Sequence, residues 1–380
     1  MIYKPPSKFA KIEESATLKA GEKAKELQDK GISIWKLDVG EPDFNTPEPI
    51  VRAAYEAIKK GMTHYSSTQG LPELRAEIAR RSGNQASPSE VIITPGSKQA
   101  LFYTFEAILD PGDEVIIIEP AWPSYKQMVQ LSGGRPVTID TGEDFQPVLD
   151  SVASSLTDRT KAILLNSPNN PTGAVFSESV IKGITDIAKD AKIWVISDEI
   201  YKDIIYEGHH VSVTSFLSYD DGLILIDGFS KSYAMTGWRL GYAVAPKPVI
   251  SQMVKMQGHI ATCPAPFTQV GALEGLKSCG GQVREMVAEF ARRRAYIISR
   301  LRANDIPFME PKGAFYFFID LSGRIKDGME PSEFLLERAH VSTTPGGAFG
   351  EKYKGFVRLS YASSMTTIED GLDSIFKATA

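Results

Sequence analysis

The stretch that decides the fold is AILLNSPNNPTG, residues 162–173. Its first half is a short apolar run, and its second half is a polar turn rich in proline and asparagine. A short run that is apolar on both faces is typical of a buried strand in a parallel sheet. Similar runs occur on either side of it, and together the seven predict a mostly parallel seven-stranded sheet. The other six are VIIT (91–94), VIII (115–118), PVTI (136–139), IWVIS (193–197), LILID (223–227) and GYAVA (241–245).

Helical patterns alternate with these runs. Thr46 is the expected N-cap of one helix, with Pro47 in its first turn and Gly61 at its end. Strand and helix alternate in this way from about residue 46 to residue 275. This alternation predicts a layered α/β domain with helices on both faces of the sheet.

The C-terminal part has a different pattern. A long helical segment begins near Val283 and leads into AFYFFI (314–319) and FVRLSY (356–361). In the last segment apolar residues alternate with Arg358 and Ser360, which predicts a half-buried strand. The chain is therefore expected to comprise three parts. These are an N-terminal arm that adds to the small domain (1–45), a large domain (46–282) and a small α+β domain (283–380).

Composition excludes several classes of function. The 380 residues include 42 Lys and Arg against 47 Asp and Glu, a net charge of -5, so we expect no nucleic-acid partner. Two cysteines and five scattered histidines indicate neither a metal site nor a disulfide framework. The chain has no apolar run near the roughly 20 residues of a membrane helix, and its first residues lack the apolar run of a secretory signal. We expect a reduced cytoplasmic protein without a membrane partner.

Polar groups follow four of the predicted strands. They are PGSK (95–98), SPNNPTG (167–173), DEIY (198–201) and GFSK (228–231). Ligands of open α/β sheets bind at the carboxyl ends of the strands, so these groups are expected to share one crevice. Taken alone, Lys231 is typical of a solvated surface lysine and Asp198 of a turn or cap residue. Their combination predicts an active site.

These motifs, together with SKSYAMTGWRLGY (230–242), resemble the class I aminotransferases that depend on pyridoxal 5'-phosphate and have fold type I. The resemblance covers nearly the whole chain, from LDVGEPDFNTPE (37–48) to RLSYA (358–362), and is strongest to the bacterial aspartate/prephenate aminotransferases. It implies a homodimeric aminotransferase. The enzyme would move the amino group of an L-amino acid, aspartate or glutamate, to a 2-oxo acid by a ping-pong mechanism.

The resemblance also implies a role for each residue. Lys231 would bind the cofactor as a Schiff base, and Asp198 would keep the ring nitrogen protonated. Tyr201 and Asn170 would contact the ring oxygen. The other implied cofactor contacts are Gly96, Ser97, Lys98, Trp122, Ser230, Arg239 and, from the second subunit, Tyr65.

For the substrate, the resemblance implies that Arg358 binds the α-carboxylate with help from Asn170, Trp122 and the Gly40 backbone. Lys98 and Thr17 match positions that meet the distal carboxylate in dicarboxylate-specific members. The same lysine occurs in relatives that aminate prephenate, and MQGHIATCPAPF (256–267) departs from the usual Ser/Thr-rich stretch. Specificity for an aromatic amino acid, alanine or prephenate therefore remains an alternative to specificity for aspartate.

Two other functions share part of this pattern. A carbon–sulfur β-lyase also needs Lys231 and Asp198, but such relatives usually lack the TGWR run found at 236–239. A ligand-sensing domain of a regulator would be accompanied by a basic helix-turn-helix, and none precedes residue 40. An aminotransferase is the favoured interpretation.

Overall fold

A computed structural model describes residues 12, 14, 16–325 and 328–380 of the chain. The strands are β1 (Trp35–Lys36), β2 (Val91–Thr94), β3 (Glu114–Glu119), β4 (Arg135–Asp140), β5 (Thr160–Asn166), β6 (Trp194–Asp198), β7 (Leu223–Gly228), β8 (Gly241–Val244), β9 (Tyr316–Asp320), β10 (Val341–Ser342), β11 (Thr344–Pro345) and β12 (Phe356–Ser360). The helices are α1 (Ala16–Asp29), α2 (Glu48–Lys59), α3 (Pro72–Arg81), α4 (Ser97–Ile108), α5 (Ser124–Leu131), α6 (Leu149–Ser154), α7 (Glu178–Ala191), α8 (Lys247–Ile260), α9 (Pro266–Ser278), α10 (Gly280–Ala303), α11 (Pro331–Phe334) and α12 (Met365–Ala378). Among the described residues, no helix has the length and apolarity needed to span a membrane.

The central sheet has seven strands in the order β2-β8-β7-β6-β5-β3-β4. β8 runs antiparallel to both of its neighbours, and the remaining pairs are parallel. Each strand coincides with one of the seven apolar runs, so the predicted mostly parallel sheet is confirmed. The edge strand β4 is the least buried of them, whereas β2 at the opposite edge is fully buried.

Helices cover both faces of this sheet. One apolar core lies under α2, α3, α7 and α9, and a second lies under α4, α5 and α8 on the opposite face. This arrangement explains the continuous apolar run within each of β5, β6 and β7, namely residues 162–165, 194–196 and 223–226. Polar residues follow each of these runs at the carboxyl end of its strand.

A second, smaller sheet with the order β11-β12-β9 packs with α10 and α12 around an aromatic core. Within this core the Phe290 ring lies 5.3 Å from the Phe315 ring and 6.1 Å from the Tyr361 ring. The loop after β6 contributes Ile200 and Tyr201 to the same core, which ties the small sheet to the edge where β6 ends. The domain boundaries at residues 45 and 282 stay a prediction.

Two local expectations were wrong. The N-cap of α2 is Pro47, not Thr46. The Thr46 hydroxyl instead donates to the Ala234 carbonyl at 2.6 Å and accepts from the Trp238 indole at 2.9 Å. The second is β12, which was expected to be half-buried, but both Arg358 and Ser360 are only 2% exposed. Both residues contact the segment that follows β1. The Leu37 carbonyl accepts from the Ser360 amide at 2.7 Å, and the Asp38 carbonyl accepts from the Arg358 guanidinium at 2.8 Å.

Candidate active site

The carboxyl ends of β5, β6 and β7 stand level with one another. Asn166 pairs with Asp198, and Asp198 pairs with Ile226, so the residues that follow each strand leave the sheet at the same edge. A cavity of about 680 Å³ lies at this edge. The cavity occupies the position that the topology predicts for a ligand site.

Most of the predicted site residues line this cavity. The eleven are Gly40, Ser97, Lys98, Trp122, Asn170, Asp198, Tyr201, Ser230, Lys231, Arg239 and Arg358. Gly96 adjoins it through Arg239, as described below. Tyr65 does not reach the cavity of its own chain, since it is 86% exposed on the loop after α2. Thr17 belongs to α1, and its side chain lies outside the part of the chain that the structure describes.

Asp198 ends β6 at the base of the cavity and is 3% exposed. One of its oxygens, Oδ2, accepts a hydrogen bond from the Tyr125 hydroxyl at 2.7 Å, and the other accepts from the Ile200 amide at 3.2 Å. Burial raises the pKa of Asp198 to about 6, although these two hydrogen bonds oppose the rise. The carboxylate is thus ionised at neutral pH, although burial makes the ionised form unfavourable. A cation bound next to it would therefore be strongly favoured.

Lys231 faces the cavity from the loop after β7. Its amine donates to the Gly40 carbonyl at 2.5 Å and lies 5.9 Å from the centre of the Tyr201 ring. Burial, together with the nearby Arg358 guanidinium, lowers the pKa of Lys231 to about 8. An amine with such a pKa exchanges its proton readily near neutral pH, as a nucleophile or general base requires.

Arg358 enters the cavity from β12. Its two terminal nitrogens donate to the Asn170 side-chain oxygen at 2.9 Å and to the Asp38 carbonyl at 2.8 Å. Its Nε is buried without a hydrogen-bond partner among the described residues. The guanidinium also lies 4.4 Å from the centre of the Tyr316 ring. A cation fixed in this way is suited to a carboxylate ligand.

Asn170 and Tyr201 are held by the loops in which they lie. The Asn170 amide donates to the Asn166 side chain at 3.0 Å, and the Asn166 side chain donates in turn to the Asp198 carbonyl at 3.0 Å. The hydroxyls of Tyr201 and Tyr316 are 2.8 Å apart. Burial raises the pKa of Tyr201 well above its usual value, so its hydroxyl keeps its proton and can donate to a ligand.

An anion cradle lies at the start of α4. Gly96 is the residue before the helix and has a φ of 89°, a conformation that favours glycine. A Cβ at Gly96 would lie 2.6 Å from a terminal nitrogen of Arg239, so the guanidinium closes over the backbone there. The free amide groups of the first helical turn and the Arg239 cation therefore face the same space.

Lys98 and Trp122 form another wall of the cavity. The Lys98 amine lies 4.9 Å from the centre of the Trp122 ring. Partial desolvation lowers the pKa of Lys98, and the charge of Arg239 lowers it further. Lys98, Lys231, Arg239 and Arg358 thus bring four basic side chains to one cavity.

Sequence reasoning missed three residues that matter here. Tyr125 holds Asp198, Tyr316 holds Tyr201, and Asn166 links Asp198 to Asn170. Each lies inside a motif that was used for another residue. Tyr125 follows Trp122 by three positions, Asn166 ends the strand before Asn170, and Tyr316 lies in GAFYFFID. The three residues were therefore present in the quoted motifs. Their partners become known only when the folded chain brings the groups together.

A lysine of lowered pKa, a buried carboxylate and two arginines in one α/β cavity indicate an enzyme site for small anionic ligands. A family model described as aminotransferase class I and II matches residues 32–375. The chain belongs to this family and is an aminotransferase.

Relatives with nearly the same length match it throughout. The aspartate aminotransferase of Thermotoga maritima is 40% identical over 374 residues, which cover 97% of each chain. The aspartate/prephenate aminotransferase of Thermus thermophilus is 40% identical over 368 residues, which cover 94% of each chain. The structure of Thermus thermophilus aspartate aminotransferase with maleate is 38% identical and has a TM-score of 0.94, covering 99% of this chain and 100% of that one. The fold is that of the fold-type-I aminotransferases.

The raised pKa of Asp198 has a consequence for the stability of the protein. The carboxyl has a pKa near 3.8 in the unfolded chain and about 6 in the folded protein, so the folded protein becomes less stable as the pH rises through that interval. In ligand-free protein, Asp198→Asn should therefore raise the free energy of unfolding by about 1–3 kcal/mol at pH 8. The gain should vanish below about pH 4. Urea denaturation at several pH values measures both effects.

Asp190→Asn is the matched control, because Asp190 is exposed near the end of α7. We expect the urea midpoint of this control to follow the wild type at every pH. An Asp198→Asn protein that is less stable than the wild type at pH 8 would contradict the electrostatic cost assigned to Asp198.

Proposed function

We propose that this aminotransferase binds pyridoxal 5'-phosphate on Lys231 and takes its amino group from L-aspartate or L-glutamate. The observation that supports this proposal is the meeting of Lys231, Asp198 and Arg358 in one cavity. These three supply an amine, a carboxylate and a guanidinium to a single ligand. The charge of Asp198 acts on the pKa of Lys231, so the amine and the carboxylate lie within electrostatic reach of each other.

The cavity fits the cofactor on chemical grounds. Its phosphate would lie in the cradle of Gly96, Ser97 and Arg239, with Ser230 beside it, where amides and a guanidinium favour an anion. Its ring nitrogen would meet Asp198, and a protonated nitrogen would relieve the cost of that buried carboxylate. Asn170 and Tyr201 would donate to the ring oxygen, and Trp122 would cover the ring.

When bound, the cofactor supplies the electron sink that chemistry at an α-carbon needs and that no side chain provides. The other steps would depend on residues of this chain. Asp198 would hold a proton on the ring nitrogen. The Lys231 amine, with a pKa of about 8, can take the proton from the substrate α-carbon and return it at a neighbouring atom. Because Lys231 touches the Gly40 carbonyl at 2.5 Å, the loop after β1 keeps the amine directed into the cavity.

The substrate preference rests on charge. Arg358 would bind the α-carboxylate, and its contact with Asn170 fixes the orientation of the guanidinium. Lys98 stands on the wall formed with Trp122 and would bind a second, distal carboxylate. A dicarboxylic amino acid would neutralise both cations. Thr17 is proposed for the same distal subsite from the sequence match alone.

Prephenate is a second candidate acceptor. One relative that is 40% identical to this chain is named aspartate/prephenate aminotransferase. The second carboxylate of prephenate could bind Lys98 in the same way. Measuring amino transfer from L-aspartate to prephenate and to 2-oxoglutarate would rank the two acceptors.

We also propose that the chain forms a homodimer with shared sites. Val51, Tyr55 and Ile58 form an exposed apolar stripe on α2, with Tyr55 57% exposed. Tyr65 follows this helix, and the neighbouring Ser66 amide donates to the Cys263 sulfur, which brings the end of α8 close. If a second copy covers this surface, Tyr65 of the first copy would lie near the cofactor phosphate of the second copy.

The compartment is proposed to be the reducing cytoplasm. Cys263 and Cys279 are both free thiols. Free thiols are usual in reducing compartments, whereas secreted proteins commonly pair them.

The absorption spectrum tests the proposed cofactor and donor together. We expect purified protein to show the yellow band of lysine-bound cofactor, and L-aspartate to replace it with the band of the aminated form. Lys231→Ala should lose this response, because no other amine takes its place. A protein that stays colourless after incubation with pyridoxal phosphate would exclude the proposed cofactor.

The role of Lys98 predicts a selective loss of activity. Loss of a hydrogen bond to a charged group costs about 1.5–3 kcal/mol, so Lys98→Ala should lower kcat/KM for aspartate about 10- to 100-fold. The value for L-alanine, which has no distal carboxylate, should change much less. Steady-state kinetics with both donors provide the comparison. Equal losses for the two donors would remove Lys98 from the distal subsite.

The proposed dimer is tested by changing its apolar stripe. Sedimentation should give twice the chain mass of 41.7 kDa for the wild type. Tyr55→Glu combined with Ile58→Glu should yield monomers with little activity, because a charge would be buried at the interface. Leu131→Glu is the matched control, since Leu131 is similarly exposed at 41% but lies on α5. A double variant that stays dimeric and active would place the interface elsewhere.

A further inference from the structure

A second buried carboxylate, Asp227, lies near the cavity but does not line it. Asp227 follows Ile226, the register partner of Asp198 on the neighbouring strand, so the two carboxylates leave opposite faces of the sheet. Its Oδ2 accepts from the Lys202 amine and from the Tyr242 hydroxyl, each at 2.6 Å. We call Lys202, Asp227 and Tyr242 the rear triad. Since Asp227 is nearly inaccessible to solvent, the rear triad is a buried ion pair with one added hydroxyl.

Asp227 is linked to the anion cradle through the backbone. Its Oδ1 accepts from the Gly228 amide at 2.6 Å, and its carbonyl accepts from the Ser97 hydroxyl at 2.9 Å. A Cβ at Gly228 would lie 2.4 Å from the Ser97 hydroxyl, and one at Gly241 would lie 2.2 Å from the Ser97 amide. The first residue of α4 is thus packed tightly against the end of β7. Asp227 therefore fixes the backbone at the end of β7, and this backbone supports the first residue of α4.

The charge of Asp227 also makes the ionised form of Asp198 less favourable. Two neighbouring buried carboxylates repel each other, and the charge of Asp227 is one of the causes that raise the pKa of Asp198. Glu199 acts in the same direction, whereas Tyr125 opposes it. On the other side, Lys202 opposes the rise in the pKa of Asp227 that burial and Asp203 cause.

We propose that Lys202 is a positioning residue whose cation neutralises Asp227. Asp227 can then support the Ser97 cradle while Asp198 remains ionised beneath the ring nitrogen of the cofactor. This inference rests on the proposed function. Lys202 would act through Asp227, since it is not one of the described residues that line the cavity.

The test is the affinity of the full-length protein for pyridoxal phosphate between pH 5.5 and 8.5, measured by absorbance titration. In the wild type, affinity should fall first as Lys231 takes up its proton near pH 8 and again, in a separate step, as Asp198 takes up its proton near pH 6. In Lys202→Met, the midpoint of this second step should rise by about one pH unit. Lys202→Met combined with Asp227→Asn should return the midpoint to the wild-type value, because the uncompensated charge is gone.

Lys126→Met is the matched control. Lys126 and Lys202 are both 29% exposed, and each pairs with a buried carboxylate, Glu119 in the case of Lys126. The Lys126→Met control should keep the wild-type midpoint. This result would show that the shift in the Lys202 variant comes from the effect on Asp198 and not from the loss of an ion pair as such. If Lys202→Met does not fold, Lys202→Gln retains a hydrogen-bond donor and should shift the midpoint in the same direction.

An unchanged midpoint in the folded Lys202 variant would overturn the inference, as would a double variant that keeps the shifted midpoint. A wild type that does not bind pyridoxal phosphate at pH 8 would refute the proposed function instead. The two failures are therefore distinguishable.

Discussion

The parallel register of β5, β6 and β7 is the constraint on which the site depends. It sets Asn166, Asp198 and Ile226 side by side, so that the residues after each strand leave the sheet together. Asn170, Tyr201 and Lys231 reach one cavity for this reason. A slip of one residue between two of these strands would turn Asp198 toward the opposite face and separate it from Tyr125.

The second constraint is electrostatic. Four basic side chains and the buried Asp198 share a small volume that is partly closed to water. Such a cavity favours a ligand that is anionic at its periphery and can hold a proton where it meets Asp198. The lowered pKa of Lys231 and the raised pKa of Asp198 have the same origin, because burial disfavours the charged form of each. The cost of this arrangement in the ligand-free protein is offset when ligands bind.

The sheet and most of the site could be predicted because they depend on local sequence. Each strand is a short apolar run, and four of the runs are followed by a polar motif. What could not be predicted depends on contacts between distant segments. The alternation in β12 predicted a half-buried strand, but Arg358 and Ser360 are both buried, and the Arg358 guanidinium donates to the Asp38 carbonyl in the segment after β1. Tyr125 and Tyr316 gain their importance from partners 73 and 115 residues away. Tyr65 is exposed and does not line the cavity of its own chain, so its proposed role requires a second copy.

The central claim of this account is that Lys231 carries the cofactor. Borohydride reduction of the loaded protein followed by peptide mass spectrometry tests it directly, because reduction makes the bond to the lysine permanent. We expect the mass of the cofactor on the peptide that contains Lys231. Lys98 also faces the cavity and has a lowered pKa, so it is the internal alternative. Cofactor found on Lys98, or on no peptide, would contradict the account.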